Sequence, residues 1–162
     1  MLRILDITAP DINNGNGCRV TLWVSGCTHH CKGCHNEWTW DFTKGKSLVE
    51  NQDEILNELS NWLSKYYIEG ITFSGGDPLC QDDTGLDELK MLIMWVRRNF
   101  PTKNIWLYTG YIYDNLPGKK KEIADMCDVI VDGPYIEEKR DIAHTPFRGS
   151  TNQRIIKIKK IR

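Results

Sequence analysis

Apolar residues along this chain recur with two different periods. Residues 2–7 alternate apolar with polar, the rhythm of a half-buried strand. Arg19-Val20-Thr21-Leu22-Trp23-Val24-Ser25 is rich in β-branched and aromatic residues and predicts a second strand. Over residues 51–66 the period lengthens. Ile55, Leu56, Leu59, Trp62, Leu63 and Tyr66 share one helical face, and Asn51 with Glu54 reads as a capping box at its start. Ile71-Thr72-Phe73-Ser74 is a short strand stopped by Gly75-Gly76-Asp77-Pro78. Residues 84–100 predict a second helix, with Leu86, Leu89, Leu92, Ile93 and Val96 inward and Pro101 beyond its end. Ile105-Trp106-Leu107-Tyr108 and Asp128-Val129-Ile130-Val131 are further strands, separated by a short helix over residues 119–126. Its Lys119-Lys120-Lys121 run reads as a solvated face, and residues 154–159 read as a last edge strand whose lysines discourage further pairing.

Strands and helices therefore alternate, which is the grammar of βαβ units and of a mostly parallel α/β sheet with helices outside. Such sheets carry ligands beyond the carboxyl ends of their strands. The unusual stretches of this chain all fall there: residues 26–36, Ser74 to Asp77, Thr109-Gly110-Tyr111 and Asp132-Gly133-Pro134. A closed eight-fold barrel needs about 200 residues or more. The chain has 162 and reads as a single domain, so an open, partial barrel is expected.

Charge narrows the partners. A formal net charge of −1 creates no field for nucleic acid or an anionic membrane surface. No apolar run approaches the length of a membrane span, and Met1-Leu2-Arg3-Ile4-Leu5-Asp6 lacks the apolar core of a signal peptide. A reducing compartment, the cytoplasm, is the resulting expectation. In such a compartment clustered cysteines read as metal ligands rather than disulfides.

Three of the six cysteines crowd into Cys27-Thr28-His29-His30-Cys31-Lys32-Gly33-Cys34-His35-Asn36. Buried thiols packed as small hydrophobes would not sit among His, Lys, Gly and Asn. Thiolates select zinc or iron–sulfur clusters. Two completions are open: a closed Cys3His zinc site using His29, His30 or His35, or a 4Fe–4S cluster held by Cys27, Cys31 and Cys34 with one iron left for a substrate. An iron–sulfur electron carrier would want a fourth cysteine from Cys18, Cys80 or Cys127. Those three read as packing residues, and His29 and His30 as exposed loop residues. The Gly-rich segment Asn13-Asn14-Gly15-Asn16-Gly17 lacks a following Lys-Ser/Thr, which excludes a P-loop.

The spacing Cys27-x3-Cys31-x2-Cys34 resembles the signature of the radical S-adenosylmethionine (SAM) enzymes. Ser74-Gly75-Gly76-Asp77-Pro78-Leu79 is similar to their Gly-Gly-Glu motif, with Asp77 one methylene shorter than the usual Glu. Ser25-Gly26-Cys27 through Cys34-His35-Asn36, with Gly15-x-Gly17-x-Arg19, resembles the glycyl-radical activating enzymes. Tyr108-Thr109-Gly110-Tyr111, Val131-Asp132-Gly133-Pro134 and Arg148-Gly149-Ser150-Thr151-Asn152-Gln153-Arg154 resemble the subgroup that activates anaerobic ribonucleoside-triphosphate reductase.

The resemblance implies a partial TIM-like barrel of the radical SAM type. It implies that Cys27, Cys31 and Cys34 carry a 4Fe–4S cluster whose open iron binds SAM. Reductive cleavage of SAM then gives a 5′-deoxyadenosyl radical, which takes hydrogen from a glycine of the reductase large subunit. Reduced flavodoxin or ferredoxin is the implied electron donor, and pyruvate formate-lyase or another glycyl-radical protein is the alternative target. Gly33, Cys34 and His35 are expected near the adenine, where many members carry an aromatic residue in place of Gly33. Ser74, Gly75, Gly76 and Asp77 are expected around the methionine amino group, and Thr109 and Asp132 near the ribose. Asn36 is expected to orient the cluster loop. Arg148 and Arg154 are read as partner contacts or as a solvated tail.

Overall fold

The computed structural model describes residues 1–141, 143–144 and 146–158. Its strands are β1 (Arg3–Asp11), β2 (Arg19–Val24), β3 (Lys46–Ser47), β4 (Gly70–Gly75), β5 (Asn104–Tyr108), β6 (Val129–Asp132) and β7 (Arg154–Lys157). Its helices are α1 (Gln52–Leu63), α2 (Asp83–Asn99) and α3 (Gly118–Asp125). The seven strands form one open sheet in the order β3-β1-β2-β4-β5-β6-β7. β2, β4, β5 and β6 run parallel to their neighbours in that series, while β1, β3 and β7 pair antiparallel at the two sides. The fold is thus mixed α/β, with the parallel strands central as the alternation predicts.

Side-chain alternation along the strands separates two faces. Val20, Leu22 and Val24 of β2, Ile71 and Phe73 of β4, Ile105 and Leu107 of β5 and Ile130 of β6 join one apolar core. Helix residues complete it, among them Leu59 and Leu63 of α1, Leu89, Ile93 and Val96 of α2 and Ile123 and Ala124 of α3. On the strand positions between them the sheet carries Arg19, Thr21, Thr72, Trp106 and Tyr108. Trp106 packs with Val129, Val131, Tyr108 and Phe147 as a smaller cluster.

Arg19 anchors the polar face. Its guanidinium is fully buried and donates to Thr72 Oγ1 at 2.8 Å, Asn104 Oδ1 at 2.7 Å and the carbonyls of Asn16, Ile71 and Asn104. It also lies 5.3 Å from the Trp106 ring centroid. Burial lowers its pKa to about 10, so it stays a cation at neutral pH.

Several local expectations change. β1 extends well past residue 7, because residues 8 to 11 continue to pair with β2. The capping box does not form: Asn51 makes no side-chain cap, and Glu54 pairs with Lys46 of β3 instead. Tyr66 lies beyond the end of α1 and is 95% exposed. The cap that does form is Asp82 at the start of α2, accepting from Gly85 N at 2.7 Å. The lysine run is half-buried and paired, with Lys119 on Asp87, Lys120 over Tyr111 and Lys121 on Asp125. β7 is the expected edge strand, and Lys159, placed in it by the sequence pattern, lies outside the described residues. No helix among the described residues is long and apolar enough to cross a membrane.

Replacing Arg19 with Met strands its five acceptors in the interior. Unfolding in urea is expected to show a loss of roughly 3 kcal/mol or more. Arg19→Lys is expected to recover little of it, since an ammonium lacks the planar fork that reaches β4 and β5 together.

Candidate functional site

The parallel register brings two loops side by side. Trp23 pairs with Ser74 and Val24 with Gly75, so the cysteine loop leaves β2 next to the turn that leaves β4. Gly76 N donates to Val24 O at 2.9 Å and Asp77 N to Gly26 O at 2.8 Å. Gln81 Nε2 adds a bond to Ser25 O at 3.0 Å. These bonds explain the glycine pair. Gly75 has φ +113°, and a side chain on it would strike the Val24 backbone; one on Gly76 would strike Gly26. The close approach they permit is that of the chain's own cysteine loop.

Beyond these strand ends lies a cavity of about 550 Å³, within the range of small-molecule and cofactor sites. Cys27, Cys31 and Cys34 all line it, with His35, Ser74, Gly75, Gly76, Asp77 and Thr109. Gly33 is absent from the lining and turns the loop behind it, at φ +73°. Asp132 is also absent. It is fully buried, accepting from Arg154 Nε at 3.0 Å and Tyr113 N at 2.8 Å, and its neighbour Gly133 forms that part of the wall.

The two metal chemistries make different demands on the cysteine set. A tetrahedral zinc with Zn–S of about 2.3 Å needs sulfur atoms about 3.8 Å apart. Cys27, Cys31 and Cys34 are not gathered that tightly. Among the described residues, the one group of three donor atoms within 4.8 Å of one another is Cys27, His29 and Cys80. Nor does a histidine complete the triplet: among the described residues none shares such a group with Cys31 or Cys34, and His29 joins Cys27 and Cys80 instead. Cys34 Sγ receives Asn36 N–H at 3.4 Å, the kind of bond that tunes cluster sulfurs. Three thiols that line one cavity without closing on a single point are a donor set that an iron–sulfur cluster can take.

Residues 13–156 match the family described as 4Fe-4S single cluster domain. The chain is 43% identical over 145 residues to the anaerobic ribonucleoside-triphosphate reductase-activating protein of Enterobacteria phage T4, covering 90% of this chain and 87% of that protein. It is 39% identical over 150 residues to the protein of the same name from Haemophilus influenzae, covering 92% and 94%. With that of Escherichia coli K12 it shares 38% over 144 residues, covering 88% and 90%. The chain belongs to this family of activating proteins.

In this family member the site is braced by Asp77. Its carboxylate accepts from His29 Nε2 at 2.7 Å, Thr109 Oγ1 at 2.9 Å and Gly110 N at 2.9 Å on one oxygen, and from Leu79 N at 2.8 Å on the other. Burial pushes the Asp77 carboxyl up, and the His29 hydrogen bond opposes that shift. His29 is raised to about 10, chiefly by Asp77. Expected as an exposed loop residue, His29 keeps only 18% of its side chain exposed, because the buried carboxylate draws it inward. His30 is exposed as expected.

Other residues of the wall carry weaker sequence signals. Ile12, Asn13 and Asn14 come from the loop after β1, and Tyr135 from the segment after β6. The stretch from Arg148 to Arg154 proves to be neither free tail nor loose surface. Arg148 Nη1 donates to Gln153 O, Gln153 Nε2 to Gly133 O and Asn152 Nδ2 to Pro134 O, at 2.8 to 3.0 Å. Arg148, Gly149 and Gln153 thereby form part of the cavity wall. Of the three separate cysteines, Cys127 is buried in the core and Cys18 packs against it, as expected. Cys80 departs from that reading and sits against Cys27 and His29.

Asp77→Ala leaves four donors without their acceptor, and equilibrium unfolding is expected to show a loss of about 3–4 kcal/mol. Thr109→Val, which removes one of the four, is expected to cost about 1 kcal/mol in the same measurement.

Proposed function

We propose that this chain activates an anaerobic ribonucleoside-triphosphate reductase, as the names of its relatives state for them, with Cys27, Cys31 and Cys34 holding a 4Fe–4S cluster and SAM bound beside it. The convergence of those three thiols with Ser74, Gly75, Gly76 and Thr109 on one cavity is the observation that supports this most strongly. When bound, cluster and SAM supply a one-electron reductive cleavage of a carbon–sulfur bond that arms the site to take hydrogen from a glycine of the reductase.

The chain's own residues then orient and shield. Cys34 and His35, with Gly33 shaping the loop, stand on the adenine side, and Tyr135 supports His35 from behind. Ser74, Gly75 and Gly76 offer backbone groups to the methionine amino group. Asp77 serves there through its backbone, because its carboxylate already has four donors. Thr109 stands toward the ribose, held by Asp77. Asp132 acts one step removed by clamping Arg154, and so steadies the Gly133 wall. Asn36 orients the cluster loop through its bond to Cys34. Orientation matters because a primary carbon radical attacks whichever C–H bond is nearest.

In this reading the open sheet works as a partial barrel of the radical SAM type, formed by the whole chain as one domain. Its uncovered side admits the glycine loop of the reductase large subunit. Reduced flavodoxin or ferredoxin supplies the electron in the cytoplasm.

Anaerobic incubation of the reconstituted protein with SAM, a reductant and the reductase is expected to give a glycyl signal on the reductase in electron spin resonance. Cys31→Ala is expected to lose both the intact cluster and that signal. An intact, SAM-binding cluster in the variant would defeat the ligand assignment, and a silent reductase with the intact protein would defeat the function.

A further inference from the structure

Cys80 lies outside the cavity, in the turn that follows β4, yet it is not packed as a core hydrophobe. Its Sγ, the Sγ of Cys27 and a ring nitrogen of His29 lie within 4.8 Å of one another. Two thiolates and an imidazole are a zinc-type donor set. Donors around a tetrahedral zinc stand about 3.3–3.8 Å apart, so closing these three onto one ion takes movements of about 1 Å.

The histidine has an outer partner of the kind that role uses. A metal-bound imidazole commonly donates its second N–H to a carboxylate, which fixes the ring and its tautomer. His29 Nε2 has such a partner in the buried Asp77, at 2.7 Å. With Nε2 on Asp77, Nδ1 is the ring nitrogen left for an ion, which must displace the proton that Nδ1 carries in the imidazolium form. Tyr111 packs edge-on against the ring at 4.6 Å and holds its plane. Thr28 Oγ1 stands 3.4 Å and the Tyr111 hydroxyl 3.6 Å from Cys80 Sγ, so the surroundings of that sulfur are polar.

We propose that Cys27, His29 and Cys80 form a second, three-donor site for a thiophilic divalent cation such as Zn²⁺, with water in the fourth position. Cys27 belongs to both sets of donors. An ion held there and the cluster on Cys27, Cys31 and Cys34 therefore exclude one another, and the second site governs whether the chain can be loaded with its cluster. The exclusion rests on the cluster assignment made under the proposed function; the cation site does not.

The experiment uses cluster-free protein under anaerobic conditions, with Co²⁺ as the spectroscopic probe. One Co²⁺ per chain is expected, with tetrahedral ligand-field bands and thiolate charge-transfer absorption, both abolished when Zn²⁺ displaces it. Cys31→Ser and Cys34→Ser are expected to keep these bands. Cys80→Ser is expected to weaken Co²⁺ by more than the 10–100-fold that loss of an outer partner costs, roughly stated, while its circular dichroism stays that of the parent. Failure of the parent to bind Co²⁺ overturns the site. So do bands that survive Cys80→Ser but vanish with Cys31→Ser, since the ion then sits on the triplet.

A second arm adds iron and sulfide with and without one equivalent of Zn²⁺. Zn²⁺ is expected to block cluster assembly in the parent and to spare it in Cys80→Ser. Equal assembly in the parent with and without Zn²⁺ overturns the exclusion. A parent that assembles no cluster even without Zn²⁺ counts against the proposed function, and the Co²⁺ arm still decides the cation site.

Discussion

A single carboxylate holds the working end of this protein together. Asp77 is almost wholly buried, and its four donors come from the cysteine loop, from its own turn and from the segment that ends β5. A buried charge is tolerable when hydrogen bonds replace its lost hydration. That requirement works in reverse as well: the charge compels His29, Thr109 and Gly110 to converge on it. The loop bearing Cys27, Cys31 and Cys34 has little regular structure to define its path. Its position follows from this convergence and from the backbone bonds that join residues 24 to 26 with residues 76 and 77.

The two ends of the sheet's polar face are stabilised by different charges. Arg19 collects carbonyls and side-chain oxygens from β4, β5 and the loop after β1. Asp77 collects donors at the opposite, carboxyl ends of the strands. Between them the face carries Thr72, Trp106 and Tyr108 rather than a dry aliphatic layer. The helix-covered face is conventional and apolar. This division lets one face supply most of the folding energy while the other stays polar enough to line a cavity.

The segment from Arg148 to Arg154 shows how a short polar stretch becomes structural. Gln153 reaches Gly133, Asn152 reaches Pro134 and Arg154 grips the buried Asp132. Each contact spans about twenty residues of sequence and closes the chain against the end of β6. Asp132, which the resemblance places beside a ribose, is occupied by this clamp, while Gly133 and Tyr135 next to it face the cavity.

Much of the fold was legible in the residues themselves. Among the described residues, hydrophobic period located the three α-helices and six of the seven strands, and the βαβ alternation implied the parallel centre, because those patterns record which face each element buries. The three-residue and two-residue gaps between Cys27, Cys31 and Cys34 pointed to thiolate ligation of zinc or an iron–sulfur cluster, and the match to a 4Fe-4S domain agrees with the second. The short β3 carried no periodic signal, being only two residues long. What the sequence could not decide was which distant groups meet. Asp77 and His29 stand 48 positions apart, as the 2.7 Å bond between them records, and no local pattern links them. The same holds for Cys80 against Cys27 and for Gln153 against Gly133. Propensity and periodicity act over a few residues, whereas these meetings depend on strand register and on the demand of buried polar groups for partners, which exist only once the chain has closed.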